Sequence, residues 1–498
     1  VKGKVYKMVV RPVCMVWRWW MMEVEVRHHS VLLTRSEGKY SAIGNQCTHY
    51  GAPLSKGFIS GNRVRCPWHG SCFNAHTGDL EEYPGIDCGR VLSMIQTLRQ
   101  EKRIKSMSAA IPGVTHTILL LGGGAASLIC AETLRQENFG GRIIMVTRED
   151  LLPYDKTRLS KVLDSILMRR MEFFHQYDIE VWLRKEALSV DTDKKTVTFD
   201  DGSVQSYDQI LISTGSKGLD VPGMNLGNIK MLETPEDARQ IHAACIGHNV
   251  VLVGTSFVGM EVASYLLDKA SSITVIGSSE MPYQNTLGPE IGKLTMLKNV
   301  KFYMNDNVTE VRGTNGKVKD IVLKSGKVIP ADVLIVGIGK WKHLNIFSVL
   351  ILLLQYMRTN VPDVFCGGDL AIFPLAMAKN QMVNIGHWQM AQAQGRIVAL
   401  NMLNKTTELN SVPFYWTVLV GKTIRYTGYG EGYTEIIIKG KFEDRKFLAL
   451  YIKDDEVIAA AGLNFDPAVS AVAERLASGK VITKKEAQSD DLSWLQLS

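Results

Sequence analysis

Two short segments near the N-terminal end each contain one cysteine and one histidine that can bind a metal. Cys47-Thr48-His49 is followed, after sixteen intervening residues, by Cys66-Pro67-Trp68-His69-Gly70. A zinc finger usually groups two cysteines in one half of the site and two histidines in the other. The mixed halves instead suit a [2Fe-2S] cluster in which the cysteines bind one iron and the histidines bind the other. A zinc site is the alternative. The candidate metal ligands are Cys47, His49, Cys66 and His69.

These segments resemble the ligand loops of Rieske domains, and the resemblance implies a [2Fe-2S] cluster. Neutral histidines in place of thiolates remove negative charge, which raises the reduction potential of the cluster. Gly51 and Gly70 follow the two ligand pairs, and we expect them to turn the backbone so that N–H groups point at the sulfides. Rieske proteins of respiratory complexes carry an extra cysteine pair that bridges the loops. Here Gly51 and Ala52 replace one of these cysteines. We therefore expect no bridge, an unpaired Cys72 and a cluster of low to intermediate potential.

A glycine-rich turn between an apolar strand and a helical segment predicts a dinucleotide site. Residues 118–121 form the apolar run, and Gly122-Gly123-Gly124-Ala125-Ala126-Ser127 follows it. Gly122 makes the turn, and Gly124 lets a pyrophosphate approach the backbone at the helix N-terminus. Ser127 stands where glycine or alanine is usual. Glu149, 22 residues beyond Ser127, is placed to bind a ribose hydroxyl.

Two later segments complete a predicted FAD site. Thr214 and Gly215 end a second apolar run, residues 210–213. Asp369 follows a third apolar run and a glycine pair. An aspartate in this position can accept hydrogen bonds from the ribityl hydroxyls of a flavin. The alternative for Asp369 is a helix N-cap.

The same strand–turn–helix–strand pattern returns at residues 249–276 and predicts a site for NAD(P)H. Its turn reads Gly254-Thr255-Ser256-Phe257-Val258-Gly259, so a serine replaces the middle glycine, where the pyrophosphate should pass closest. Gly277 stands at the end of the next strand, where a ribose-binding acid is usual. The candidate contacts are Gly254, Ser256 and Gly259. The architecture indicates nicotinamide nucleotide binding with weakened chemistry.

From about residue 40 onward the chain resembles the Rieske-containing apoptosis-inducing-factor-like proteins, a group of pyridine nucleotide-disulfide, FAD-dependent oxidoreductases. It is also similar to reductases that feed Rieske ferredoxins. The resemblance is carried by Leu152-Pro153-Tyr154-Asp155, Leu159-Ser160-Lys161, Gly259-Met260-Glu261-Val262-Ala263, and the segments 384–391 and 425–432. It implies that Lys161 and Glu261 pair at the flavin ring edge and that Trp388 stacks near the flavin or nicotinamide ring. The alternatives are a surface ion pair for the first two and core packing for Trp388.

These sites require several folding units, and the patterns predict a multidomain chain. Short alternating runs punctuated by glycines predict an N-terminal all-β Rieske domain. The two repeated units predict two doubly wound α/β Rossmann-type nucleotide-binding domains, and strand-like runs after residue 413 predict a C-terminal α+β domain. The predicted ranges are 1–105 for the Rieske domain, 106–116 for a linker, 117–245 and 336–408 for the FAD-binding domain, 246–335 for the NAD(P)-binding domain, and 409–498 for the C-terminal reductase-like domain.

Composition excludes some classes of function. The net charge of +7 is spread over 498 residues without a dense Lys/Arg block, so we expect no nucleic-acid partner. The eight cysteines show no Cys-x-x-Cys spacing and indicate thiols in a reducing compartment. The apolar run 346–354 is too short for a transmembrane segment. Targeting cannot be read, and we expect an intracellular location, mitochondrial or cytoplasmic. A homo-oligomer is left open.

The predicted function is a FAD-dependent NAD(P)H oxidoreductase. NAD(P)H would reduce FAD, and the Rieske cluster would carry electrons singly to an unknown electron acceptor. The resemblance links this activity to apoptosis. The alternative is a redox-responsive pro-apoptotic signalling protein with little or no NAD(P)H turnover.

Overall fold

The computed structural model describes residues 20–26, 29–91, 103–160, 166–215, 225–338 and 356–495. Lys161 and the apolar run 346–354 lie outside these ranges. Of the described helices, none combines the length and the apolar character that crossing a bilayer requires.

The N-terminal part contains two antiparallel sheets around a small apolar core that includes Leu32, Ile43 and Phe73. The first sheet contains β1 (Trp20–Val26), β2 (His29–Ser36) and β3 (Lys39–Gly44). A 3₁₀ turn at Leu54–Lys56 leads to the second sheet, with β4 (Phe58–Ser60), β5 (Arg63–Arg65), β6 (Cys72–Asn74) and β7 (Leu80–Glu82). The segment with Cys47 and His49 follows β3, and the segment with Cys66 and His69 lies between β5 and β6. The predicted all-β fold is confirmed.

The chain from Thr117 to Ile212 builds the first nucleotide-binding unit. Its elements are β8 (Thr117–Leu121), α1 (Ala125–Gln136), β9 (Arg142–Val146), a 3₁₀ turn (Lys156–Arg158), α2 (Met171–Gln176), β10 (Ile179–Trp182), β11 (Ala187–Asp191), β12 (Thr196–Phe199), β13 (Val204–Ser206) and β14 (Gln209–Ile212). Strands β11 to β13 form a separate antiparallel sheet. Nearly all of β8 is buried, as expected for a central strand covered on both faces.

The second unit repeats this plan. Its elements are β15 (Ile229–Lys230), α3 (Pro235–Cys245), β16 (Asn249–Val253), α4 (Phe257–Leu266), β17 (Ser272–Ile276), α5 (Gln284–Leu294), β18 (Val300–Tyr303), β19 (Val308–Thr314), β20 (Lys317–Leu323), β21 (Val328–Pro330) and β22 (Val333–Val336). The parallel sheet runs β15-β22-β16-β17-β18, and β19 to β21 form a small antiparallel sheet. Strand β15 precedes residue 246, at which the predicted domain begins.

The chain then returns to the first unit. Its elements there are β23 (Val364–Cys366), β24 (Phe373–Leu375), a 3₁₀ turn (Ala376–Ala378), β25 (Gln381–Val383) and α6 (Trp388–Met402). Strand β23 completes a parallel sheet in the order β10-β9-β8-β14-β23. Helix α6 packs on α1, and Gly395 permits the close approach because an added Cβ would lie 2.2 Å from the Ala126 carbonyl oxygen. Both predicted Rossmann-type units are confirmed.

The C-terminal part is an antiparallel sheet covered by helices. Its elements are β26 (Phe414–Leu419), β27 (Lys422–Gly428), β28 (Glu435–Lys441), β29 (Lys446–Lys453), β30 (Glu456–Leu463), α7 (Ala468–Ala477), α8 (Lys484–Gln488) and a 3₁₀ turn (Ser493–Leu495). The sheet order is β26-β27-β30-β29-β28. Helix α7 packs against β27 and β30 and also touches β4 of the N-terminal part. The predicted α+β fold is confirmed.

A buried ion cluster joins the N-terminal part to the first nucleotide-binding unit. Arg169 donates to Asp87 of the N-terminal part and to Glu132 of α1, both at 2.8 Å. The Thr48 hydroxyl, between two predicted metal ligands, donates to the Asp87 carbonyl oxygen at 2.7 Å. Breaking one of these ion pairs would leave a buried charge without a partner, which is costly. The contacts therefore fix the position of the segment that contains Cys47 and His49.

Candidate redox site

The structure brings the four predicted metal ligands together. The Nδ1 atoms of His49 and His69 lie 3.2 Å apart. The Cys47 and Cys66 side chains hydrogen-bond each other, and this contact lowers the pKa of the Cys47 thiol. Burial raises the pKa of the Cys66 thiol. Cys72 forms no disulfide with another of the described cysteines.

The arrangement of these side chains fits a binuclear cluster. Two nitrogens about 2.1 Å from one metal, at roughly 100° to each other, are about 3.2 Å apart, which matches the two histidines. Within the described ranges, no three His, Cys, Asp or Glu side chains surround a point that could hold one metal ion. The hydrogen bond between the two thiols and the close approach of the two imidazole nitrogens give a thiol pair and an imidazole pair. This is the donor set of a Rieske [2Fe-2S] cluster.

The two ligand segments have the same backbone design. The Cys47 amide donates to the Ala52 carbonyl oxygen at 2.8 Å, and the Cys66 amide donates to the Ser71 carbonyl oxygen, also five residues further on, at 2.8 Å. Gly51 and Gly70 both have φ of 79°, in the left-handed region that favours glycine. An added Cβ on Gly70 would also lie 2.6 Å from the Phe414 ring. The tight turns expected at both glycines are confirmed.

Aromatic rings enclose the two histidines, and the sequence did not predict this enclosure. The Tyr50 ring stacks on His49 with centroids 3.9 Å apart, and its hydroxyl donates to Asp155 at 2.9 Å. The Trp416 ring lies 4.3 Å from His69 and 5.5 Å from His387. No sequence signal marks Trp416, because its partners are distant along the chain.

The first glycine turn has the shape that a pyrophosphate requires. Gly122 has φ of 123°, and an added Cβ would lie 2.3 Å from the Ser213 carbonyl oxygen. Gly124 caps α1, and an added Cβ there would meet open space. A helix N-terminus with open space in front of its amides is an anion site. Ser127 is buried, and its hydroxyl lies 2.8 Å from that of Ser213. Its side chain therefore joins α1 to the end of β14.

The other predicted flavin contacts lie at the carboxyl ends of the same sheet. Glu149 forms an ion pair with Lys156 at 3.1 Å. Thr214 and Gly215 lie two and three residues after the end of β14, and Gly215 has φ of 75°. Burial raises the pKa of Asp369. No helix begins at Asp369, so the N-cap alternative is wrong.

Of the residues predicted at the flavin ring edge, the structure describes the surroundings of Glu261 and Trp388. Glu261 is buried and accepts hydrogen bonds from Ser160 at 2.5 Å and from Thr417 at 3.0 Å. The Glu261 carboxylate therefore does not lie at the surface. Trp388 is the first residue of α6 and packs against Ala125 and Ala126, next to the first glycine turn. Lys161 is outside the described residues.

The second glycine turn keeps the backbone of the first. Gly254 has φ of 115°, and an added Cβ on Gly259 would lie 2.0 Å from the Gly254 carbonyl oxygen. These two glycines permit the turn and the close approach of α4. Ser256 caps α4 in extended backbone, as Gly124 caps α1, and its exposed side chain makes no capping hydrogen bond.

The Thr255 side chain occupies the space that an acidic side chain at position 277 would need. An added Cβ on Gly277 would lie 2.5 Å from the Thr255 methyl group. The first unit reverses this arrangement, because an added Cβ on Gly123 would lie 2.8 Å from Thr147 at the strand end. In each unit one threonine fills the space between the turn and the strand end, and the residue that faces this threonine across the space is a glycine. A larger side chain at Gly277 therefore requires a change at Thr255.

The sequence matches three family profiles in chain order. Residues 7–100 match the Rieske [2Fe-2S] domain, residues 116–395 match the pyridine nucleotide-disulphide oxidoreductase family, and residues 414–495 match the reductase C-terminal family. The second match spans more than half of the chain.

This chain belongs to the pyridine nucleotide-disulphide oxidoreductase family. It is similar to apoptosis-inducing factor 3 of Homo sapiens, with 45% identity across 95% of this chain and 86% of the human protein. It is 27% identical to rubredoxin-NAD(+) reductase of Pseudomonas putida, across 70% of this chain and 95% of that protein. The ferredoxin reductase for the CYP199A2 system from Rhodopseudomonas palustris shares the fold, with a TM-score of 0.72 at 24% identity, covering 77% of this chain and 100% of that one.

Membership of the pyridine nucleotide-disulphide oxidoreductase family confirms the predicted class of enzyme. The chain is an FAD-dependent NAD(P)H oxidoreductase that carries a Rieske domain. Its cofactors are FAD, NAD(P)H and a [2Fe-2S] cluster, as predicted.

Proposed function

We propose that this oxidoreductase passes electrons from NAD(P)H to its own Rieske domain and from there to an external one-electron acceptor. FAD accepts a hydride, two electrons at once, and the cluster accepts electrons singly. The observation that carries the proposal is the position of Trp416, whose ring lies 4.3 Å from the His69 ring and 5.5 Å from the His387 ring. His387 caps α6, which begins with Trp388 beside the first glycine turn. The histidine pair therefore faces the predicted flavin site.

In this proposal the N-terminal part is the acceptor that related reductases meet as a separate protein. Relatives are named ferredoxin-NAD(+) and rubredoxin-NAD(+) reductases after such acceptors. Holding donor and acceptor in one chain raises their effective concentration. Buried contacts of Arg169 with Asp87 and Glu132 join the two parts.

We propose that Cys47 and Cys66 bind one iron and that the two histidines bind the other. The Tyr50 ring keeps the His49 ring in one orientation, since its hydroxyl is anchored to Asp155. Buried Trp416 covers His69 and excludes water from this side of the site. Residues of the chain thus fix both imidazoles before any substrate binds.

We propose the following division of the flavin site. The backbone at Gly122 and Gly124 binds the pyrophosphate at the N-terminus of α1. Ser127 supports this turn through Ser213 rather than by touching the cofactor. The remaining contacts are Glu149 for the adenosine ribose, Asp369 for the ribityl chain, Thr214 and Gly215 beside the flavin, and Lys161, Glu261 and Trp388 around its ring.

The proposed NAD(P)H site is the second glycine turn, at Gly254, Ser256 and Gly259. Ser256 adds a side chain where the pyrophosphate passes, and Gly277 offers the ribose no carboxylate. Losing a charged hydrogen bond to a ligand hydroxyl costs about 1.5–3 kcal/mol. We therefore expect weak binding of NADH and little discrimination against NADPH.

A second candidate function is redox-responsive pro-apoptotic signalling with little turnover. The altered NAD(P)H site at Ser256 and Gly277 and the name of the human relative favour it. An anaerobic titration with NADH, followed by absorption and electron paramagnetic resonance (EPR) spectra, distinguishes the two. The oxidoreductase should consume about 1.5 NADH per chain, since the flavin takes two electrons and the cluster one. An unreduced flavin at excess NADH would refute the proposed function in favour of signalling.

A further inference from the structure

Side chains hold every second carbonyl group of the second ligand segment, residues 66–70. Ser470 donates its hydroxyl to the Cys66 carbonyl oxygen at 3.0 Å. Arg425 donates Nε to the Trp68 carbonyl oxygen at 2.9 Å. Arg65 donates Nη1 to the Gly70 carbonyl oxygen at 2.9 Å. Two of these three donors belong to the C-terminal part of the chain.

The third donor is also controlled by the C-terminal part. Arg65 is fully buried, and its Nε lies 2.5 Å from Oε1 of Glu474 on α7. Its Nη2 lies 2.7 Å from Glu82, and Glu474 also pairs with Arg63 at 3.2 Å. Glu474 therefore orients a permanently charged donor toward the Gly70 carbonyl group.

We propose that the C-terminal domain helps to form the cluster site. Ser470, Arg425 and Glu474 of this domain are positioning residues that hold the backbone of segment 66–70, Glu474 through Arg65. This inference rests on the proposed binding of the cluster by Cys66 and His69. The contacts fix the backbone between the two ligands, and with it the angle at which His69 meets Trp416. The C-terminal reductase-like domain thus sets the geometry of the iron–sulfur centre and the rate at which it loses iron.

The test uses the full-length holoprotein and two substitutions of different severity. Ser470→Ala removes the hydroxyl that donates to the Cys66 carbonyl oxygen, and it changes no charge. Glu474→Gln keeps the shape of the side chain but removes the charge that pairs with Arg65. Two properties are measured: the Rieske EPR spectrum of the dithionite-reduced protein and the rate at which a strong iron chelator removes the cluster. Leaving a buried partner unsatisfied should accelerate iron loss about tenfold, and both variants should shift the EPR line positions.

Arg475→Gln is the matched control. Arg475 neighbours Glu474 on α7, but among the described residues its side chain donates within the C-terminal part, to the Trp494 and Val481 carbonyl oxygens and to Glu486. It should leave the EPR spectrum and the rate of iron loss unchanged even where it lowers the thermal midpoint. If Arg475→Gln changes both properties as much as Glu474→Gln does, general loosening of α7 explains the effect and the inference is wrong.

The remaining outcomes separate this inference from the proposed function. Wild-type spectra and wild-type rates of iron loss in both Ser470→Ala and Glu474→Gln would overturn the inference while leaving the proposed function intact. A wild-type protein without any Rieske signal would overturn both, because no cluster would then exist for the C-terminal part to position.

Discussion

Gly277→Ala should destabilise the second nucleotide-binding unit because a threonine already fills the space. The added Cβ would lie 2.5 Å from the Thr255 methyl group and 3.0 Å from the end of Met304. The strand end cannot move away easily. The Gly277 amide donates to the Tyr303 carbonyl oxygen at 3.0 Å, and its own carbonyl oxygen accepts from the Asp306 amide at 3.0 Å.

The expected size follows from two opposing effects. Overpacking of this kind typically costs about 1–3 kcal/mol. Alanine restricts the unfolded chain more than glycine does, which stabilises the folded state by about 0.4–1 kcal/mol where the backbone is unstrained. Gly277 is not in the left-handed region, so this gain applies. The net loss should be about 1–2 kcal/mol.

A double-mutant cycle with Thr255→Ala tests the cause. Removing the threonine methyl group clears the space, so Gly277→Ala should no longer be destabilising in that background. The expected coupling is the overpacking cost itself, about 1–3 kcal/mol. Differential scanning calorimetry should show a midpoint lowered by a few degrees in the single variant, at about 2–4 °C per kcal/mol, and restored in the double variant. An equal loss with and without Thr255 would show that the contact is not the reason for the glycine.

Three further results are expected. His69→Ala should abolish the Rieske EPR spectrum while FAD stays bound in stoichiometric amount, and metal analysis that finds zinc in the wild type would exclude the cluster. Gly124→Val should give folded but flavin-free protein, since the new side chain meets only the space reserved for the pyrophosphate; retained FAD would contradict the site. Thr255→Ala combined with Ser256→Gly and Gly277→Glu should tighten NADH binding about 10- to 150-fold and penalise NADPH, as measured by flavin reduction at varied nucleotide concentration. Unchanged affinity would mean that other residues recognise the nucleotide.

The local parts of the fold could be predicted because their signals are local. The apolar run at residues 118–121 is observed as strand β8 (Thr117–Leu121), and both glycine turns join a strand to a helix. The apolar runs and the turn glycines lie within a few residues of each other, so the sequence alone carries the pattern. The four candidate metal ligands could be proposed for the same reason, since each pair lies within one short segment.

The surroundings of the site could not be predicted, since they depend on tertiary contacts. Trp416 meets His69, and Glu474 meets Arg65, across more than three hundred residues of chain. Nothing near Trp416 or Glu474 in the sequence indicates a metal site. Gly277 illustrates a different limit: the sequence shows that an acid is missing, whereas only the structure shows Thr255 in the space that its side chain would need.

The central claim is that the cluster receives its electrons from the flavin of the same chain. The most direct test is the rate at which the cluster is reduced after rapid anaerobic mixing with excess NADH, measured over a wide range of protein concentration. Intrachain transfer predicts that this rate does not change with protein concentration and that flavin bleaching precedes the EPR signal of the reduced cluster. A rate proportional to protein concentration would contradict the account, because the cluster would then be reduced by a second chain.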